Sequence, residues 1–342
     1  MNKAGKILSI EPPFAIPGGE ISITCENLKI EDASSFFCYF NGIQARITGA
    51  SGTRVLAVVP TDLDASEAEI YIENSGEKSE SKKIRIGKKI AENLHMVANP
   101  AVDPKDDSLI LTRSGSRGQK LPVTLLRLET DGYLDELTAD VLNPTGIAFD
   151  EMGKLFITNR ADGEVVQVNN GKEVVPLAGE LGIATGIAFD KEGYMYVGDR
   201  SGTIFKISEM GDTEAWSVIE PSVSAYHMAF GLDENLYVTA PGLCSHDSIY
   251  QLDKSGLDQI FYKGLGRPQG LAFDEEGNLY LAACLKGRHG IIKISDGGSQ
   301  AEVFVAGIGI IGLCFTRKGE MIIATRDKIY SLNAGIYGVL LD

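Results

Sequence analysis

Short runs in which apolar and polar residues alternate, broken by Gly, Pro, Asn and Asp, recur through the chain. A period of two places alternate side chains on one face of a strand. Ile21, Ile23 and Cys25 alternate in this way, as do Phe36, Cys38 and Phe40, and the pair Asn41-Gly42 marks a turn before Ile43 and Ala45. Further runs at 55–59, 68–72 and 83–86 bring the count to six or seven short strands, which predicts a β-sandwich of immunoglobulin type in the first ninety residues. A different pattern follows. The stretch PTGIAFDEMGKLFITNR (144–160) is written again as ATGIAFDKEGYMYVGDR (184–200) and as PQGLAFDEEGNLYL (268–281). Each copy reads as a strand, an Asp/Gly turn and a second strand rich in aromatic and β-branched residues, which is a hairpin signature.

Following the column of Gly146 gives Asn99, Gly146, Gly186, His227, Gly270 and Gly312, at intervals of 40 to 47 residues. Six units of about forty residues with four strand candidates each predict a six-bladed β-propeller. The fold class expected is therefore all-β, an immunoglobulin-like sandwich over 1–88 and a six-bladed propeller over 89–342. The last unit has four candidates of its own, at 312–315, 321–324, 328–332 and 337–341; residues 86–92 are a second candidate for its edge, so the manner of closure stays open.

The front segment, with Ile10-Glu-Pro-Pro, Pro17-Gly-Gly, Ile21-Ser-Ile-Thr, Asn27-Leu and Asn41-Gly, resembles the TIG (IPT) domain family. That resemblance implies a spacer or interaction module without an active site. The repeat resembles NHL-repeat propellers and the gluconolactonase-like enzymes (SMP/LRE type). Gluconolactonase-like enzymes hold a divalent metal at the channel mouth with Glu, Asn and Asp side chains. Here the two pore-facing columns are Ala98, Thr145, Thr185, Tyr226, Gln269 and Ile311, and the Gly146 column above. They hold one Asn, one His and no carboxylate, a poor set for a hard cation. No metal and no cofactor is expected. The run 307–312 matches G-x-G-x-x-G only formally, because a strand and not a helix follows it.

A formal charge of -15 argues against nucleic acid and against anionic membranes as partners. No signal peptide or spanning segment is visible, so a cytoplasmic protein is expected, or an exported one if a signal has been removed. Five cysteines without C-x-x-C spacing fit buried thiols, although Cys25 and Cys38 fall on successive strands and could pair in an exported protein.

Against this acidic background Arg113, Arg160, Arg200 and Arg326 share one repeat column, after the second strand of four units. Long loops at 113–122, 241–248 and 284–290 add Arg117, Lys120, His246, Lys286, Arg288 and His289 to the same side. Guanidinium groups around a channel mouth suit a small polar or anionic ligand, or the acidic segment of a protein partner. Asn99, Tyr226, His227 and Gln269, the departures from the repeat, are the channel candidates. The leading reading is a non-catalytic binding or scaffold protein. A lactone or ester hydrolase rebuilt around those four residues and a purely structural assembly module are the alternatives.

Overall fold

The computed structural model describes residues 4–96, 98–114, 120–242 and 246–339. Among them helical structure is confined to two single 3-10 turns, Ala33–Ser35 and Asp296–Gly298. The protein is all-β. In the front segment Lys6–Glu11, Glu20–Glu26, Arg54–Val58 and Ile43–Ala50 pair antiparallel in that order. Ile43–Ala50 also pairs with Phe36–Phe40, which continues through Glu67–Asn74 to Lys82–Ile86. The alternation seen in the sequence points Ile21, Ile23, Cys38, Phe40, Ile70 and Ile72 into one shared core. Asn41 and Gly42 make the connecting turn with φ of 47° and 81°, a conformation that suits this residue pair. Cys25 and Cys38 lie in that core as free thiols, unlike the pairing considered for them. Burial pushes their pKa values up to about 11 and about 12, so both stay protonated and inert at neutral pH. Cys244 lies outside the described residues.

The remainder forms a propeller-like arrangement of antiparallel units. Three separate four-stranded sheets run consecutively, from Ala101–Val102 to Leu134–Leu137, from Pro144–Phe149 to Glu173–Ala178 and from Ala184–Phe189 to Thr213–Val218. Two further four-strand runs, His227–Phe230 to Asp258–Gly266 and Leu271–Phe273 to Gln300–Ala306, belong to one larger sheet that also includes the front strands. They are joined to each other where Leu265 and Gly266 pair with Leu285 and Cys284. The strands that open the units, Ala101–Val102, Pro144–Phe149, Ala184–Phe189, His227–Phe230, Leu271–Phe273 and Ile310–Phe315, each contact the next, and the last contacts the first. They form an inner ring.

Closure differs from one expectation. The fourth strand of the last sheet is Lys88–Glu92, paired with Lys328–Asn333, and not the stretch at 337–341. Pairing the first strand after the front segment with the last regular strand of the chain holds the ring shut by main-chain hydrogen bonds. Tyr337 is exposed, and Gly338 forms an antiparallel bridge with Asp274. Leu340 and Leu341 lie outside the described residues.

A short strand fastens the front segment to the ring. Phe14–Ala15 runs parallel to Arg85–Ile86 on one side and to Val305–Ala306 on the other. Arg288 donates to the Glu11 carbonyl at 2.9 Å and Arg85 to the Asn333 carbonyl at 3.2 Å. Gly19 is pressed against this joint: a Cβ there would lie 2.3 Å from the Ala306 carbonyl oxygen. Gly19→Ala is expected to cost about 1–3 kcal/mol, as overpacking against main chain does, measured by denaturant unfolding. Unchanged stability would show that the joint yields freely.

Candidate functional site

The channel inside the ring has two chambers. The larger, of about 550 Å³, opens at the end where the hairpin turns lie, and its wall includes Ala148, Ala188, Ala229, Ala272, Phe230 and Trp216. The smaller, of about 50 Å³, lies toward the other end and is walled by Ala98, Asn99, Thr145, Gly146, Thr185, Gly186, Ala225, Tyr226 and His227. Ile147, Ile187 and Met228 belong to both walls, so the chambers follow one another along the channel.

The neck between them is set by how closely the inner strands approach. A Cβ on Gly146 would lie 2.3 Å from the Thr185 carbonyl oxygen, and one on Gly186 would lie 2.8 Å from that of Tyr226. On the opposite side a Cβ on Gly270 or Gly312 would sit 1.6 or 2.0 Å from Asn99 Oδ1. Glycine recurs in this column because main chain or another side chain already fills the space. Asn99 works as a staple here. Its Nδ2 donates to the Leu271 carbonyl at 3.2 Å, and its Oδ1 accepts from Leu313 N at 3.2 Å, tying two inner strands together.

His227 is the second side chain in the column and is buried. Burial holds its pKa down at about 4, so the imidazole is neutral at physiological pH. Tyr226 points elsewhere. Its ring packs between units, its hydroxyl donates to the Glu220 carbonyl at 2.5 Å, and burial raises its pKa to about 12. Gln269 is half-buried, accepts at its carbonyl from Thr239 Oγ1 at 3.0 Å, and belongs to the wall of neither chamber. The channel quartet expected from the repeat is thus divided: Asn99 and His227 meet at the small chamber, whereas the functional groups of Tyr226 and Gln269 do not.

The arginine column does not converge on either chamber. Arg200 donates from Nε to the Ser222 carbonyl at 3.3 Å and from Nη2 to the Val223 carbonyl, fixing the connection to the next inner strand. Arg288 is spent on the front segment, as described above. Arg113 is half-buried with its Nε unpartnered, Arg160 is half-buried and Arg326 is exposed. Arg117 lies outside the described residues. Carboxylates at this end likewise hold loops: Asp199 accepts from Ile183 N at 2.7 Å, and Asp247 from Gly242 N and Arg267 N, both at 3.1 Å. Among the described residues no group of three His, Cys, Asp or Glu side chains is placed to hold a metal ion.

At the wide end the acidic residues serve the turns. Asp150 accepts from Met152 N at 3.0 Å and Lys154 N at 2.8 Å, and Asp190 repeats this with Glu192 N and Tyr194 N at 2.9 Å each. Residues 337–339 cross this mouth. Glu275 N donates to the Tyr337 carbonyl and Val339 N to the Phe273 carbonyl, both at 3.0 Å, and Gly338 lies so close to Phe315 that a Cβ would meet its Cβ at 2.6 Å. Sequence reasoning missed this chamber because its wall is made of repeat-typical Ala, Phe and Ile, which signal packing.

No protein-family model matches the chain, and no curated protein matches it in sequence. Solved structures do. Over 96% of this chain and 98% of the other it is similar to an auxiliary nutrient binding protein from Bacteroides thetaiotaomicron, at 15% identity and a TM-score of 0.55. An auxiliary nutrient binding protein from Bacteroides ovatus matches over 99% of both chains at 13% identity and a TM-score of 0.55. A gluconolactonase from Xanthomonas campestris matches over 71% of this chain and 88% of its own at 14% identity, with a TM-score of 0.58. At these identities the likeness is one of fold.

Two outcomes follow from the neck. In Asn99→Ala, Leu313 N and the Leu271 carbonyl lose their partner, and about 1–3 kcal/mol of stability is expected to go in denaturant unfolding. His227 is neutral when folded and takes a proton below its usual value of 6.5 when unfolded, so its contribution is complete above that pH. As pH falls from 6.5 to 4, up to about 3 kcal/mol of stability should be lost. That component should be missing from His227→Leu when unfolding free energies of the two proteins are compared across this range.

Proposed function

We propose that the protein is a non-catalytic binding protein, an immunoglobulin-like front domain over 1–88 carrying a six-bladed propeller over 89–342, which takes a small molecule into the wide chamber. In this reading the two four-strand runs inside the large sheet are the fourth and fifth blades, fused to the front domain through Phe14–Ala15. The observation that carries the function is the chamber itself. At about 550 Å³ it has the volume of a small-molecule site, and its mostly apolar and aromatic wall is rimmed by Asp150, Lys191, Lys206 and Arg317. Full-length likeness in fold to two auxiliary nutrient binding proteins is consistent with this reading. The anion-binding rim at the opposite end is less favoured, since Arg200 and Arg288 are committed to main-chain carbonyls.

The hydrolase alternative draws on the likeness to a gluconolactonase. Against it, Asn99 is committed to main chain and the Tyr226 hydroxyl is bound away from His227.

The chain contains a single tryptophan, and Trp216 stands in the wall of the wide chamber. Its fluorescence therefore reports occupancy directly. Screening a small-molecule panel by Trp216 emission and thermal shift is expected to yield binders that weaken at least tenfold in Ala229→Leu or Ala272→Leu, which fill the chamber. Binders indifferent to those changes but lost in Arg160→Ala with Arg200→Ala would move the site to the other rim. Turnover of lactones or esters that disappears in His227→Ala would establish the hydrolase instead.

A further inference from the structure

The small chamber toward the other end of the channel has one polar side chain without a partner among the described residues. Asn99 is engaged on both sides of its amide. Thr145 Oγ1 donates to the Ala184 carbonyl at 3.3 Å, and Thr185 Oγ1 donates to the Gly198 carbonyl at 3.0 Å while accepting from Tyr226 N at 3.2 Å. The Tyr226 hydroxyl is bound to the Glu220 carbonyl. His227 alone has no hydrogen bond from its ring, although the residue is only 8% exposed. A buried polar group without a partner is costly, so each one in a native fold calls for an explanation. Its ring nitrogens are not among the fully enclosed unpartnered atoms, which agrees with its place in the chamber wall.

The chamber's size limits what can satisfy it. About 50 Å³ is room for a few waters or one small polar group. A hydroxyl fits, whereas a carboxylate would have to give up most of its hydration to enter. The surroundings exclude charge as well, because burial keeps the imidazole neutral and no cationic or anionic side chain is present in the chamber wall. A charged tip would therefore be stripped of water without gaining an ion pair. The shared residues Ile147, Ile187 and Met228 place this polar pocket at the inner end of the apolar chamber.

Resting on the reading of the wide chamber as a ligand site, we infer that His227 is the residue that sets specificity there. Its free ring nitrogens receive the uncharged, hydroxyl-sized tip of a ligand whose apolar body lies in the wide chamber. Without ligand, water takes the same place.

The test uses three probes with one chain and different ends, 1-octanol, octanoate and octylammonium, titrated into the full-length protein at neutral pH with Trp216 emission as readout. The alcohol should bind at least tenfold more tightly than either ion. This preference should shrink several-fold in His227→Leu and persist in His227→Gln, which again offers a donor and an acceptor. Equal or tighter binding of either ion, or an alcohol preference untouched by His227→Leu, would overturn the role of His227 and leave the wide chamber as a ligand site. If none of the three probes perturbs Trp216 or raises the melting temperature, both readings fall. Should His227→Leu not fold, the order of the three probes in the unaltered protein decides the matter.

Discussion

The architecture of the channel depends on close approach of main chain to main chain at its neck. Inner strands that pass with a carbonyl 2.3 Å from where a Cβ would stand can carry only glycine there, as at Gly146. Such a ring leaves little space, and what remains is shared by two side chains. Asn99 fills the gap beside Gly270 and Gly312 and gains two main-chain hydrogen bonds for doing so. His227 takes part of the space beside Gly146 and Gly186 and gains none. One departure from the repeat thus strengthens the ring, and the other leaves an open hydrogen-bonding site inside it.

This division separates the two ends of the molecule. At the arginine end, charged side chains hold the connections between units: Asp199 and Asp247 accept from loop amides, and Arg200 donates to loop carbonyls. Groups engaged in this way have little left for a ligand. At the turn end, Asp150 and Asp190 are likewise folded back onto their own turns, which leaves the apolar chamber and not its charged rim as the distinctive feature. The segment 337–339 narrows that mouth by pairing with the inner strand Leu271–Phe273.

The front segment is part of this mechanical scheme. Because Phe14–Ala15 hydrogen-bonds in parallel to strands of both parts, the front sheet and the ring share a continuous main-chain network. Ile16 extends it, donating to the Ala306 carbonyl at 2.9 Å, and packs its side chain with Val305 and Tyr330 in a ring cluster. A parallel strand pair needs partners on both flanks to be well satisfied, and here each flank comes from a different part of the chain.

Much of the fold was legible because it rests on local rules. Alternation with period two determined which faces of the front strands are buried, and the Asp/Gly spacing determined the hairpin turns, since a carboxylate two residues before an amide makes that turn wherever it occurs. The repeat column also singled out Asn99 and His227 by sequence alone, as residues standing where glycine is the rule. Their roles were decided by tertiary structure: whether a side chain in that column is stapled or free depends on which main-chain groups lie beside it, and for Asn99 those are a carbonyl and an amide about 170 and 210 positions away in the chain. The same holds for Arg288, whose guanidinium is consumed by the Glu11 carbonyl of the front segment. The wide chamber left no trace in the sequence. Its wall consists of the same Ala, Ile and Phe that pack every unit, and only closing the strands into a ring turns their inner edges into a cavity.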